Sequence, residues 1–554
     1  MKKQWWHDKI CYQIYPKSFY DSNGDGIGDI QGIITKLDYL KDLGIDIIWI
    51  SPMYKSPFAD QGYDVADYYS IDPIFGNLDD LESLLQETKK RSMYLLMDLV
   101  INHCSDEHQW FVNATQDLTS KYANYFYIEK GENGNPPTNL RSYFGGSAWE
   151  NIKGTDQYYL HMYAKKQPDL NWENPEVVKE LYEMVNWWLE KGLAGFRIDA
   201  IVNIKKDLPF KNYMPDRTDG LSSPEEMVRN ANGVLEMLHD LKANTFDKYN
   251  AIAIAEMFEY DNDNLGLYIG DKGCFSTIFD FDTSLIGSSE KGWYARTKPT
   301  MNEYKNVFFQ NQLAAQGIGF MCNIIENHDQ PRGVSRYLPT ADLHDKSKKL
   351  LATIFMMARG LPFIYQGQEI GMENTVYQSI LQVDDVYTIG EYNTALEAGL
   401  DEQTALKNVC DYCRDHTRTP MQWTANKHGG FTTGTPWLSV NDNYKWINVE
   451  NQLDNNDSIF SFYKKLITLR KGTLKSVLVD GEFIPVYEQE NNVIAFIRQK
   501  NKEKALIIAN SQNNHVILPF KYTTYDILLS NDNMKIHDEK LYLTGYTSVI
   551  FKIN

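Results

Sequence analysis

Short apolar runs recur along this chain with helical patterns between them, and that alternation sets its architecture. Candidate strands cover 10–15, 46–51, 94–101, 195–201, 252–256, 276–281, 320–326 and 362–366. Between most of them the apolar positions follow a helical period. The segment 77–91 opens on Asn77, a good N-cap, with Asp79, Asp80 and Glu82 in its first turns, where the helix dipole favours negative charge. The segment 175–191 has Asn174 as cap, Pro175 at the first helical position and Gly192 as its stop. Strands alternating with helices predict a parallel α/β sheet, and about eight such units predict a (β/α)8 TIM barrel.

Two stretches interrupt the alternation. Residues 104–172 are rich in Gly, Asn, Pro and aromatics and follow the third strand. A structureless loop of that length is improbable, so a small inserted domain is expected. Residues 374–415 read as a more helical insertion after the eighth strand. From 478 the pattern becomes short β-like runs separated by Asn and Asp clusters, which predicts a C-terminal antiparallel β-sandwich. The expected division is therefore 1–103 with 173–477 as the barrel, 104–172 as the insertion and 478–554 as the terminal domain.

Composition narrows the function. The chain has 554 residues and a net charge of −19, which argues against nucleic-acid or anionic-membrane partners and mildly against a phosphorylated substrate. Aromatics reach 13%, which suits carbohydrate, although Tyr-rich cores share that trait. The start, Met1 to Lys9, has no apolar h-region, and no run approaches transmembrane length. Cys11, Cys104, Cys274, Cys322, Cys410 and Cys413 are scattered, as in a reduced cytoplasmic protein. Cys410 and Cys413 form a lone C-x-x-C with no second pair, so free thiols are expected there.

The chemistry lies in acids at strand ends. Asp98 sits in Leu95-Leu96-Met97-Asp98-Leu99-Val100-Ile101-Asn102-His103, Asp199 in Gly195-Phe196-Arg197-Ile198-Asp199, Glu256 after Ile252-Ala253-Ile254-Ala255, and Asp329 in Asn327-His328-Asp329. One such acid is explained by an N-cap or an ion pair. Several converging at the C-terminal face of one barrel, with an Arg and two His, are what glycosyl transfer requires. In order and spacing these blocks resemble the four sequence regions of the α-amylase family, glycoside hydrolase family 13. Gln167-Pro168-Asp169-Leu170-Asn171-Trp172 and the block from Arg414 to Trp423 are similar to those of its oligo-1,6-glucosidase and α-glucosidase branch.

The resemblance implies roles. Asp199 would be the nucleophile, Glu256 the acid/base with a raised pKa, and Asp329 the residue gripping sugar hydroxyls. Arg197 would keep Asp199 ionised, with Asp98 bracing it. His103 and His328 would donate to sugar hydroxyls. Tyr63 resembles the platform under the first sugar, and Asp60 would pair with Arg414 to close the far wall, making a pocket. Phe144 and Tyr163 are candidates for the leaving-group wall, with core packing as the alternative.

The loop Asp21-Ser22-Asn23-Gly24-Asp25-Gly26-Ile27-Gly28-Asp29 alternates oxygen side chains with Gly, a hard-cation pattern. The resemblance implies a structural calcium held by Asp21, Asn23, Asp25, the Ile27 carbonyl and Asp29, and no organic cofactor. The alternative is a solvated Asx-rich turn. After the nucleophile the branch often carries Val in α-1,6-preferring enzymes and Thr in α-1,4-preferring ones; here Ala200 departs from both. The expected activity is a retaining exo-α-glucosidase acting on small oligosaccharides. It would favour α-1,6 bonds, with some α-1,4 or sucrose activity. A monomer is expected, though the sequence leaves oligomeric state open. The alternative is a sucrose isomerase or glucosyltransferase of the same family. Those carry an Arg- and Asp-rich loop before the fourth region, where this chain reads Asp280 to Ser289 without one. A non-catalytic scaffold of this family would have lost the acids that this chain keeps.

Overall fold

The computed structural model describes residues 2–217, 219–258, 260 and 262–553. Its central strands are β1 Cys11–Ile14, β2 Ile47–Ile50, β3 Tyr94–Val100, β4 Gly195–Asp199, β5 Ile252–Ala255, β6 Thr277–Ile278, β7 Cys322–Asn323 and β8 Leu361–Tyr365. They pair in parallel in the order β6-β5-β4-β3-β2-β1-β8-β7. The ring closes where Phe279, just past β6, bridges Cys322 in parallel and Asp280 N donates to Cys322 O at 2.9 Å. The expected barrel is present.

Side-chain parity explains both its filling and its chemistry. Cys11, Ile47, Trp49, Leu96, Ile252, Ile254, Cys322, Leu361 and Phe363 form one buried cluster, the packed barrel interior. Their neighbours Tyr12, Ile48, Leu95, Phe196, Ala253 and Ile364 join a second, larger cluster with the surrounding helices. Because strand side chains alternate, Leu96 and Asp98 share a face, as do Arg197 and Asp199, and Ile254 and Glu256. At the C-terminal end the inward positions switch from apolar to charged. Gly195 has φ 150°, and a Cβ there would lie 1.9 Å from Ile252 O, so β4 and β5 approach too closely for a side chain.

The helices start where expected. Leu78–Lys90 is capped by Asn77 in a capping box with Asp80, and Pro175–Glu190 by Asn174. Strands β6 and β7 are shorter than the apolar runs 276–281 and 320–326 that predict them. Past β6, among the described residues of its run, only Phe279 makes a further bridge, and Phe279 and Phe281 pack into the barrel interior.

Between β3 and β4 lies a three-stranded antiparallel sheet of Ile128–Lys130, Gln157–Leu160 and Trp149–Asn151. It packs on Tyr213 and Met227, which follow β4. After β8 come helices Val386–Glu397 and Glu402–Cys410. The C-terminal region is an antiparallel pair of sheets. One holds Glu482–Pro485, Val493–Lys500, Glu503–Asn510, Ser548–Ile553 and Tyr525–Ser530; the other holds Val516–Pro519, Lys540–Leu543 and Met534–His537. Leu506, Ile508, Leu518, Leu541 and Phe551 fill the space between them. All six cysteines are buried free thiols. No helix among the described residues is long and apolar enough to cross a membrane.

Candidate active site

One guanidinium organises the C-terminal mouth of the barrel. Arg197 on β4 is 1% exposed. Its Nη1 donates to Asp98 Oδ1 and Asp199 Oδ1, each at 2.7 Å. Its Nη2 lies 2.7 Å from Glu256 Oε1, off the line of a good hydrogen bond. β3 and β4 place Asp98 and Arg197 directly opposite each other. Glu256 lies one residue past β5, anchored by its own N–H on Ile198 O at 3.0 Å. Ala200 N donates to Glu256 Oε2 at 3.2 Å.

Three carboxyls around one cation cannot all be ionised cheaply in a buried site. Burial pushes Asp98 up to about 6, against the pull of Arg197. It pushes Asp199 and Glu256 each up to about 7, again opposed by Arg197. Asp199 raises Glu256 further, while Asp98 and Asp329 raise Asp199. Glu256 meets Arg197 with poor hydrogen-bond geometry, while Asp199 is bonded to it squarely. Of the two, Asp199 is therefore better held in its ionised form and Glu256 better able to carry a proton.

The opposite wall has more cations. Asp329 Oδ1 accepts from Arg414 Nη1 at 3.2 Å and Arg418 Nη2 at 2.8 Å. Gln13 Nε2 donates to His328 Nδ1 at 2.8 Å, which leaves Nε2–H of His328 to face Asp329 Oδ2 at 3.0 Å. Tyr63 stacks on His328 at 5.4 Å and donates to Asp98 Oδ2 at 3.0 Å, linking the two halves. Burial lowers His328 and keeps it neutral. Burial also works to raise Asp329, but its cationic surroundings hold it well below the carboxylate range. His328, whose ring N–H faces Asp329, contributes most to this, with Arg414 and Arg418 adding to it.

Asp60 is only a secondary partner of Arg414, at 3.6 Å. The main partner is Asp385, which takes Nε at 2.8 Å and Nη2 at 2.5 Å. Asp60 instead accepts from Gln167 Nε2 at 3.0 Å. Burial raises Asp60 to about 6, whereas Arg414 and Arg418 overcome burial and hold Asp385 at about 2. Asp385, Arg418 and Gln167 are the residues that sequence reasoning missed. Arg418 carries a signal, one helical turn after Arg414 in the same block. Asp385 carries none beyond its N-cap position before Val386.

These groups line one cavity of about 570 Å³ that includes Asp60, Tyr63, His103, Asp199, Ala200, Glu256, Asp329 and Arg414. His103 is buried at its wall, with Nε2 3.2 Å from Tyr63 O. Phe144 and Tyr163 also line it, their rings 5.7 Å apart, and Asn203 Nδ2 donates to Tyr163 OH at 2.8 Å. Tyr387 from the second insertion packs on Phe144 at 5.3 Å. Ala200 has φ 45° and ψ 33°, the left-handed conformation.

The loop 21–29 lies away from this cavity. Asp21 Oδ1 accepts from Asn23 N and Gly24 N at 3.0 and 2.7 Å, and Asp25 Oδ1 from Ile27 N at 2.9 Å. Asp29 Oδ1 accepts from Gly32 N at 2.6 Å and caps the helix Ile30–Thr35. Among the described residues no three His, Cys, Asp or Glu gather as a metal-holding group. A cation here would need the mixed oxygen set of carboxylates, Asn23 amide and Ile27 carbonyl, which suits a hard ion.

The α-amylase catalytic-domain model matches residues 13–481, and the C-terminal-domain model of the SusG α-amylase matches residues 493–550. The chain is 40% identical to an oligo-1,6-glucosidase of Bacillus cereus over 100% of both chains. It is 38% identical to a trehalose-6-phosphate hydrolase of Bacillus subtilis over 99% of this chain and 98% of that one. The structure of a trehalulose synthase variant superposes with TM-score 0.94 at 34% identity, covering 100% of each chain. With the closed barrel, the acids gathered on Arg197 and these full-length matches, the chain belongs to the α-amylase family of glycoside hydrolases.

Proposed function

We propose that the protein is a retaining, exo-acting α-glucosidase that releases glucose from the non-reducing ends of short α-glucosides, with α-1,6 bonds favoured. The observation that carries this reading is Arg197, which holds two strand-end carboxyls and touches a third inside a pocket whose far wall is tied by Arg414. Asp199 attacks the anomeric carbon as the bond to the leaving oxygen breaks, and Glu256 gives its proton to that oxygen. The Glu256 carboxylate then takes a proton from the water that attacks the same carbon, freeing Asp199. Asp329, always ionised, accepts hydrogen bonds from sugar hydroxyls, and Tyr63 lies under the ring. The α-1,6 preference is supported by full-length similarity to oligo-1,6-glucosidases. Proton NMR of the first product of p-nitrophenyl α-glucoside tests the chemistry. Initial α-glucose is expected; initial β-glucose means inversion and removes the assignment. Isomaltulose rather than free glucose from sucrose would favour the isomerase alternative.

The loop 21–29 binds calcium in this reading, supported by its alternating oxygen side chains and mixed donor set. Calcium that binds only the folded state raises Tm by linkage. Chelator-treated protein that contains no metal and melts unchanged on calcium addition would remove the claim. The unpaired thiols support a cytoplasmic location, and a monomer is the working expectation with the oligomeric state open.

A further inference from the structure

Lys206 lies behind the cavity wall and meets three segments that build it. Its side chain and that of Asp169 are both 0% exposed, and Nζ lies 2.6 Å from Asp169 Oδ2. Nζ also donates to Asn102 Oδ1 at 3.2 Å and to Asn203 O. Lys206 and Asn203 follow β4, Asp169 belongs to the insertion, and Asn102 lies two residues past β3. Three N–H groups thus meet three acceptors. Asn102 is held from two sides. An ammonium can only donate, so Asn102 Oδ1 must face Lys206. A carboxylate can only accept, and Asp169 Oδ2 lies 3.3 Å from Asn102 Nδ2. The two charges together fix which way the amide points. Its second N–H is then aimed at His103 Nδ1, 3.1 Å away.

His103 is the residue on which that orientation acts. It lines the cavity, and burial lowers it to about 4, so it is neutral. A neutral imidazole carries one N–H, and the hydrogen bond at one ring nitrogen decides what the other carries. Each nitrogen of His103 meets an amide donor. Gln167 is fixed too, because its Oε1 accepts from Ala164 N at 2.9 Å and its Nε2 donates to Asp60 Oδ2 at 3.0 Å. That Nε2 lies 3.1 Å from His103 Nε2. The balance is tipped by Tyr63 O, an acceptor 3.2 Å from His103 Nε2. With Asn102 fixed, Nδ1 accepts and the proton sits on Nε2, on the Tyr63 side. Were Asn102 free to turn over, its Oδ1 would accept from Nδ1–H and Nε2 would accept from Gln167. His103 would then have no N–H on the Tyr63 side. We propose that Lys206 is a positioning residue that acts through Asn102 to keep the His103 proton on Nε2, from which His103 donates to a substrate hydroxyl. The hydroxyl contact rests on the α-glucosidase reading; the place of the proton does not.

The test is nitrogen NMR of the His103 ring, assigned by its loss in His103→Gln, in wild type, Lys206→Met and Lys206→Met/Asp169→Asn. Lys206→Met alone leaves Asp169 buried without a counter-charge. The double variant removes both charges together and keeps an acceptor for Met162 N, which Asp169 Oδ1 binds at 2.9 Å. Wild type should carry the proton on Nε2, and the double variant should carry a large share of it on Nδ1. A proton on Nδ1 in wild type, or one that stays on Nε2 in the double variant, overturns the proposal. Kinetics give a second readout. Losing a donor that holds a hydroxyl equally in the ground and transition states raises KM and leaves kcat nearly unchanged. KM for p-nitrophenyl α-glucoside should rise about threefold to tenfold in the double variant, the scale of one hydrogen bond. Across the monodeoxy analogues of that substrate, the rise should vanish for the one lacking the hydroxyl that His103 holds. An equal rise for every analogue reports a general loss of shape and overturns the positioning role. If wild type cleaves no α-glucoside, the glucosidase reading fails, and the NMR still decides whether Lys206 places the proton.

Discussion

The two sides of the cavity use the same residue types to opposite ends. Around Arg197 one cation faces Asp98, Asp199 and Glu256, and burial raises all three, to about 6, 7 and 7. Across the pocket two cations, Arg414 and Arg418, face Asp329 and Asp385, and both acids fall below their usual range. Burial is similar on both sides; the ratio of cations to acids differs. The cation-poor side can hold a mobile proton near neutrality, as acid/base chemistry needs. The cation-rich side fixes its carboxylates as permanent acceptors. Asp60 shows the limit of that wall: it lies 3.6 Å from Arg414 and stays raised at about 6.

Breaking the cation-poor side should have the largest effect. Asp199→Ala should abolish nearly all turnover, and Glu256→Gln should lower kcat on isomaltose by about 10²–10⁴. Circular dichroism should show the fold intact in both. Activity within tenfold of wild type in either variant would show that the acids are not the reacting groups.

Removing a cation from the other side comes next. Arg414→Met leaves Asp385 and Asp329 short of a partner, and breaking such a buried pair costs roughly 3–5 kcal/mol. Urea denaturation should show that loss. The added substitution Asp385→Asn should recover part of it, because the uncompensated charge is gone. Additive losses in the double variant would mean that the two residues do not act as a pair.

A smaller effect separates the two sides by pH. Glu256 moves from 4.5 to about 7 on folding, so the fold favours its protonated form. The stability this gives is full below the unfolded value and is lost as pH rises through the window between the two values. Glu256→Gln cannot ionise. Its stability relative to wild type should therefore improve by about 3 kcal/mol between pH 4.5 and 7.5. For Asp329 the sign reverses, because its folded value is depressed: Asp329→Asn should gain relative stability as pH falls. A flat difference for Glu256→Gln would show that Arg197 already keeps it ionised.

The smallest expected effect concerns linkage. Ala200, next to Asp199, lines the cavity, and Ala200→Val should sharpen α-1,6 preference by lowering the α-1,4 rate, with Ala200→Thr shifting the balance the other way. Differences of a methyl or two are worth about 1–3 kcal/mol. The left-handed φ of 45° adds a backbone penalty for either β-branched residue. That penalty appears in Tm and cancels from the ratio of the two rates, so the ratio is the quantity to measure. Wild-type discrimination above about a thousandfold would place the determinant elsewhere.

Much of this was legible because it depends on local period. Eight apolar runs with helices between them give the barrel, and parity within each run sends Asp98, Arg197, Asp199 and Glu256 inward at one end. Caps such as Asn77 and Asn174 act within a single turn, so they too read directly from sequence. Strands β6 and β7 were overestimated because an apolar run shows burial but not where the ladder stops; Phe279 and Phe281 are buried by packing on other rings.

What the tertiary structure decided was which charges meet. Asp385 and Arg414 are 29 residues apart, Gln167 and Asp60 are 107 apart, and no periodicity joins them. Lys206 and Asp169 come from separate segments to one side chain, Asn102. The protonation of each acid follows from the number of cations within a few ångströms and from burial, both set by the closed barrel and its insertions. The sequence by itself determined that acids would gather at one end of a barrel; the fold determined how many cations each would share, and so which acid keeps a proton.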